Sequence, residues 1–261
     1  MRKLGILVAL TTAAAVVGIA PAVAGAQTQG TQAFCDAAVK VDKAFGAVGD
    51  RGPTKKQAQE LDKALSGAES TAPPEIAADM QSLAAITRSS AQSNQDPSQN
   101  PTFEQNLAAI QQYRYNSCGY QLQATGIEYE FQGLPKTVPA GKVAIQFTDN
   151  GAEIHELEVL RIKGKDSAKK LAGLSEKELS KKAEEVGSTF AMQGQTSYAF
   201  ADMSKPGRYA VLCHLPVGST SPQAVEEAFK EHAKTHAQRG MYAEITVEKG
   251  STASSTATSA P

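Results

Sequence analysis

Two hydrophobic periodicities divide the chain. From Phe34 onward, Phe34, Ala37, Ala38, Val41, Phe45 and Val48 recur every three or four positions, the spacing of one helix face. Residues 49–53 carry turn chemistry. Thr54 suits the N-cap of a second helix with Ala58, Leu61 and Leu65 on one side. Pro73 and Pro74 suit the first turn of a third, because their missing donors would be unpaired there anyway. Its inward positions are Ile76, Met80, Leu83 and Ile86. A polar loop over 89–101 leads to a fourth, with Phe103, Leu107, Ile110 and Tyr113 or Arg114 in register. Four helices with short connections predict an up-and-down bundle over 27–122.

From Ile127 the period drops to two. Ile127, Tyr129 and Phe131 alternate with polar residues, as do Val143, Ile145 and Phe147. Further strands are predicted over 156–162, 196–201, 208–213 and 241–248, with Gly and Pro between them, which reads as a sandwich or barrel over 123–249. Two helical insertions interrupt it. Residues 163–186 are charged, and Ser175 with Glu178 fits a capping box. Residues 219–237 offer Val225 and Phe229 as apolar anchors. The fold class is thus α+β with two domains.

Composition fits that division. At 261 residues and 41% hydrophobic, the chain can build two ordinary cores. The net charge of −1 and the lack of a basic run argue against nucleic acid and against a membrane-surface role. Residues 1–26 read as a secretory signal: Arg2 and Lys3, an apolar run, then small residues at Ala22, Ala24 and Ala26. No stable membrane span is expected after its removal, and the mature protein is expected outside the cytoplasm, at the cell envelope or secreted. The tail over 250–261 is Ser, Thr, Ala and Pro only after Gly250 and cannot form a core.

Disulfides persist in such a compartment, yet there are three cysteines: Cys35, Cys118 and Cys213. Cys35 opens the first helix and Cys118 closes the fourth, points that meet at one end of an antiparallel bundle. We assign them as a structural pair closing a loop of about 84 residues, worth roughly 4–5 kcal/mol. Cys213 is left over.

All four histidines, His155, His214, His232 and His236, lie in the β half. The order His155, Cys213, His236, Met241 matches what a blue copper centre needs: two imidazoles, a thiolate and a weak thioether. His232, one helical turn before His236, is the alternative to it. His214 should face the opposite side of its strand from Cys213. Glu153 and Glu156 read as solvated charges.

The stretch from Tyr129 to Pro135, then Val138-Pro-Ala-Gly141, Asn150-Gly151-x-x-x-His155 and Pro206-Gly207-x-Tyr209-x-x-x-Cys213 resemble the cupredoxins, the family of plastocyanin and azurin. The resemblance covers about residues 127–248. It implies a Greek-key β-barrel and one copper ion held by His155, Cys213, His236 and Met241, with electrons leaving through the solvent-facing edge of His236. Two features depart from the family: 22 residues separate Cys213 from His236, and Glu156 stands where Asn is common. The expected function is single-electron transfer or copper handling with a redox or envelope protein partner. The alternative is a metal-free cupredoxin-fold binding module of the envelope. No catalytic residues are expected: four histidines cannot supply the extra centres of a copper oxidase or nitrite reductase, and no hydrolase, phosphate-loop or dinucleotide motif occurs.

Overall fold

The computed structural model describes residues 29–48, 52–93 and 95–249. The expected signal segment, turn residues 49–51 and the tail lie outside the described residues. Four helices come first: α1 (Gln29–Gly46), α2 (Lys55–Thr71), α3 (Ala77–Ser93) and α4 (Pro101–Ser117). Thr54 caps α2 in a full capping box with Gln57. Pro73 and Pro74 do not open α3; they form a turn before it, in which the Ile76 N–H donates to the Pro73 carbonyl at 3.0 Å. The expected loop after α3 is shorter than its composition suggests, because α3 runs on to Ser93. Asn100 caps α4, with Pro101 at its first position. The helices share one core built on Phe34, Leu65, Met80, Ala84, Phe103 and Ile110. A Cys35–Cys118 disulfide joins α1 to the residue that ends α4, with Cα atoms 5.5 Å apart.

The rest is nine strands: β1 (Tyr120–Ile127), β2 (Glu130–Gln132), β3 (Thr137–Pro139), β4 (Gly141–Asp149), β5 (His155–Ile162), β6 (Ala183–Ala191), β7 (Thr196–Met203), β8 (Gly207–Leu212) and β9 (Tyr242–Glu248). Between them lie α5 (Ala168–Leu171), α6 (Glu176–Lys182), α7 (Pro222–Lys230) and α8 (His236–Arg239). One sheet runs β2-β1-β4-β7, the other β3-β9-β8-β5-β6, and both are mixed. Their facing sides bury Phe147, Leu157, Val159, Tyr209, Val211 and Ile245. The outer side of the second sheet is covered too, since Leu160, Ala210 and Leu212 pack under α5, α6 and α8 through Leu171, Leu179 and Ala237. That double coverage is why β8 is buried along its whole second half.

Four readings of the pattern change. Strand pairing begins at Tyr120, directly after the helices. At the junction Gly119 (φ +125) is needed, because a Cβ there would collide with the Lys142 backbone. The alternation Ile127, Tyr129, Phe131 is not one strand: the chain turns at Glu128 and Tyr129 and returns as β2. Residues 183–186, read as helix, start the edge strand β6, whose charged residues suit an unpaired sheet edge. Phe229, expected as an anchor of α7, is 44% exposed, while Val225 is buried.

The helices dock on the first sheet. Arg114 is buried, pairs with Asp42 of α1 at 2.6 Å and lies over the Phe200 ring of β7 at 3.7 Å. Tyr198 of β7 donates to Gln112 of α4 at 2.7 Å, and Lys142 of β4 pairs with Asp36.

Candidate metal centre

Cys213 follows β8, His155 opens β5 and His236 opens α8, and all three are fully buried together with Met241. The long segment after Cys213 leaves and returns through a narrow stem. Val217 N–H donates to the Lys234 carbonyl, Pro216 bridges Thr235, and His236 N–H donates to the Leu215 carbonyl at 2.8 Å. Thr235 then caps α8 in a capping box with Gln238. A separation of 23 positions thereby collapses to 3.4 Å between Cys213 Sγ and His236 Nδ1. Met241 is tied to both residues by its backbone: its N–H donates to the His236 carbonyl at 2.9 Å, and its carbonyl accepts from Cys213 N–H at 3.3 Å. The Met241 side chain shares an apolar cluster with Ile154, Cys213, Leu215 and Val225. Met192, a second thioether that the sequence reading passed over, packs against the same cluster.

Both imidazoles are backed by carboxylates. His155 Nδ1 lies 3.0 Å from Asp149 Oδ1, at full burial, and Asp149 also accepts from the Gly151 N–H at 2.8 Å. A Cβ at Gly151 would come within 2.5 Å of His155 Cε1, so glycine leaves the ring its room. His236 Nε2 lies 2.9 Å from Glu153 Oε2, which also accepts from the Gly218 and Ser219 amides at 2.6 and 2.9 Å. A carboxylate can only accept, so the ring protons sit on His155 Nδ1 and His236 Nε2. The lone pairs are left on His155 Nε2, which is buried with no hydrogen-bond partner, and on His236 Nδ1, which faces the thiol. The two ring centroids are 4.9 Å apart.

Electrostatics follow from burial. Cys213 is pushed well above its usual range, first by desolvation and then by the Glu156 charge, although the Glu156 and Leu215 amides pull the other way. His236 is lowered, chiefly by burial, against the opposing pull of Glu153. The thiol is therefore protonated and donates to a neutral imidazole. Glu153 is not a solvated charge but the partner of His236. Glu156 is not one either: its carboxyl is pushed up to about 7 by burial and by the Glu158 charge. Its backbone N–H serves Cys213 Sγ at 3.2 Å, a bond that does not depend on which side chain stands there.

The expected exit through a solvent-facing His236 edge is corrected by its full burial. Glu153 covers Nε2, and the Tyr129 ring meets the imidazole edge-on at 5.2 Å. His232 is exposed and lies just past α7, with φ 56. His214 turns to Glu158, Nδ1 to Oε2 being 2.7 Å. Among the described residues, three ligand atoms lie mutually within 4.8 Å at Glu156, Glu158 and His214, whereas His155, Cys213 and His236 form a more open set. Asp149 and Glu153 were the residues that sequence reasoning missed as parts of the site. Their only signal was proximity to His155, which carboxylates on any exposed turn share.

The donors fit a soft-to-borderline ion: one thiol, two imidazoles with inward lone pairs, one of them orphaned, and a thioether in the same apolar pocket. Carboxylates behind both rings are the usual second layer of such a centre.

No family model matches the chain, and no curated protein matches it in sequence. Among solved structures it is similar to reduced auracyanin from the photosynthetic bacterium Roseiflexus castenholzii, at 19% identity and a TM-score of 0.32, over 49% of this chain and 96% of that one. It is likewise similar to auracyanin A, a "blue" copper protein from Chloroflexus aurantiacus, at 18% identity and a TM-score of 0.33, over 49% and 98%. Reduced rusticyanin follows at 19% identity and a TM-score of 0.30, over 49% and 78%. Multicopper oxidases are also among the matches, with this chain spanning 44% or less of their length. The solved structures that this chain resembles over about half its length are cupredoxin-fold proteins.

Proposed function

We propose that this chain is an extracytoplasmic cupredoxin that holds one copper ion with Cys213, His155, His236 and Met241 and passes single electrons or handles copper. The observation that carries this reading is a buried thiol 3.4 Å from the carboxylate-backed His236, with a second buried, carboxylate-backed imidazole, His155, beside that ring and its Nε2 left unpartnered. Copper there would supply a one-electron couple. The chain's own contribution is to hold the donors: Cys213 would serve as a thiolate, with the Glu156 amide 3.2 Å from its sulfur, and Asp149 and Glu153 orient the two rings. Tyr129 and Glu153 cover the His236 ring. Helices α1–α4, read as a bundle domain, dock on the first sheet.

The test is copper(II) titration of the mature protein, read by visible absorption and electron paramagnetic resonance. An intense thiolate-to-copper band with small hyperfine splitting is expected, absent in Cys213→Ser with unchanged circular dichroism. Copper binding unaffected by that substitution would overturn the assignment. A second reading, a metal-free binding module, draws on a cleft of about 700 Å³ between the helices and the β6–β7 edge, lined by Phe45, Leu107, Phe190 and Phe200. Under it the titration gives no band at all.

A further inference from the structure

Strand β5 alternates. His155 and Leu157 turn toward the space between the sheets, and Glu156 and Glu158 turn to the outer face with Leu160 and Ile162. In β8 Val211 turns inward and Leu212 outward, so Cys213 belongs to the inner face and His214 to the outer one. The register pairs Glu158 with Leu212, and two steps further His214 comes over Glu156. The His214 N–H donates to Glu156 Oε2 at 3.3 Å, and His214 Nδ1 lies 2.7 Å from Glu158 Oε2. One ligand atom from each of the three residues lies within 4.8 Å of the others. Atoms bonded to one first-row ion at about 2.0–2.2 Å sit about 3–4 Å apart, so little movement separates this group from a coordination shell.

Burial points the same way. The Glu158 side chain is 5% exposed and that of His214 23%. Two carboxylates and one imidazole nitrogen converge there, a donor set that one divalent cation fits, and buried polar groups of this kind are ordinarily hydrogen-bonded or on a metal. An oxygen–oxygen–nitrogen set suits manganese or zinc rather than the thiophilic ions favoured next door.

We propose that Glu156, Glu158 and His214 form a second metal site, for a divalent first-row cation of the manganese or zinc kind, on the outer face of the sheet behind Cys213. Its residues are the sequence neighbours of His155 and Cys213. An ion there clamps the ends of β5 and β8 that carry the thiol centre. The site stands whether or not copper occupies the inner one.

Manganese(II) tests it, because it ranks lowest for nitrogen and sulfur sites and avoids the thiol. The mature protein and its C213S variant are titrated with Mn(II), read by loss of the free-ion paramagnetic resonance signal. One ion per chain is expected in both. Glu158→Gln and His214→Gln should each weaken binding by about 100-fold, since even lost second-layer partners cost about 10–100-fold, with circular dichroism unchanged. E156Q provides the same comparison if either variant does not fold. No binding up to millimolar Mn(II), or equal binding in the Gln variants, overturns the site. Binding lost in C213S but kept in E158Q overturns it as well, by assigning the ion to the thiol centre.

Discussion

At His155 and His236 the proton sits on the nitrogen that faces a carboxylate, and this decides which nitrogen can bind a metal. His155 is turned so that Nε2 is inward, whereas His236 presents Nδ1. Asp149 is the sharper case, because it is fully buried and its second oxygen has no partner. Asp149→Asn keeps the size but loses the carboxylate behind His155, a ligand in the proposed copper site. Copper affinity should fall by about tenfold, the lower end of the range for such partners, in competition with a chromophoric chelator. Unchanged affinity would mean that Asp149 only shapes the turn at Gly151. Residue chemistry was partly legible in the chain: His155, Cys213, His236 and Met241 could be put forward as candidate donors from type and order, and all four are buried. Asp149 and Glu153 could not, since a carboxylate's role depends on which ring the fold turns toward it.

Among elements, short ones carry the geometry. Helix α8 is four residues long, yet its cap at Thr235 and the stem at Pro216 bring His236 back to Cys213. The 22-residue excursion keeps Cys213 and His236 together, because its two ends are hydrogen-bonded to each other and Val225 of α7 packs back onto the Cys213 cluster. The disulfide acts at a different place. It closes a sequence separation of 83 around the helices alone. Replacing Cys35 and Cys118 by Ser should lower helical stability by about 4–5 kcal/mol, measured by guanidinium denaturation, while the thiol centre keeps its properties. A simultaneous loss of copper binding would instead mean that the helices and barrel fold as one unit. Edge strand β6 escaped the pattern because its charged residues read equally as a surface helix, and only pairing with β5 separates the two.

For the molecule as a whole, docking of the helices on the first sheet is the feature with the most consequence. It buries Arg114 against Asp42 and Phe200, and it leaves Glu104 of α4 lining the cleft with neither carboxylate oxygen exposed or partnered. Burial, and then the Asp96 charge, raises the Glu104 carboxyl. A raised carboxyl keeps its full stability below the unfolded range near about 4.3 and loses it as pH climbs through the folded value. Glu104→Gln should therefore stabilise the protein at pH 7, with the gain shrinking toward pH 4, in urea unfolding. A gain independent of pH would trace to packing instead of the ionised carboxyl.

The amino-acid order by itself determined the two periodicities, the leftover Cys213 and the candidate ligands, because these depend on residue type and local spacing. Tertiary structure alone decided that the helices dock on the first sheet and that strand pairing starts at Tyr120. It also decided that His236 is sealed by Tyr129 and Glu153, and that Glu156, Glu158 and His214 meet. The physical reason is the same in each case: which side of a strand is covered, and by what, is set by contacts between segments far apart in the chain.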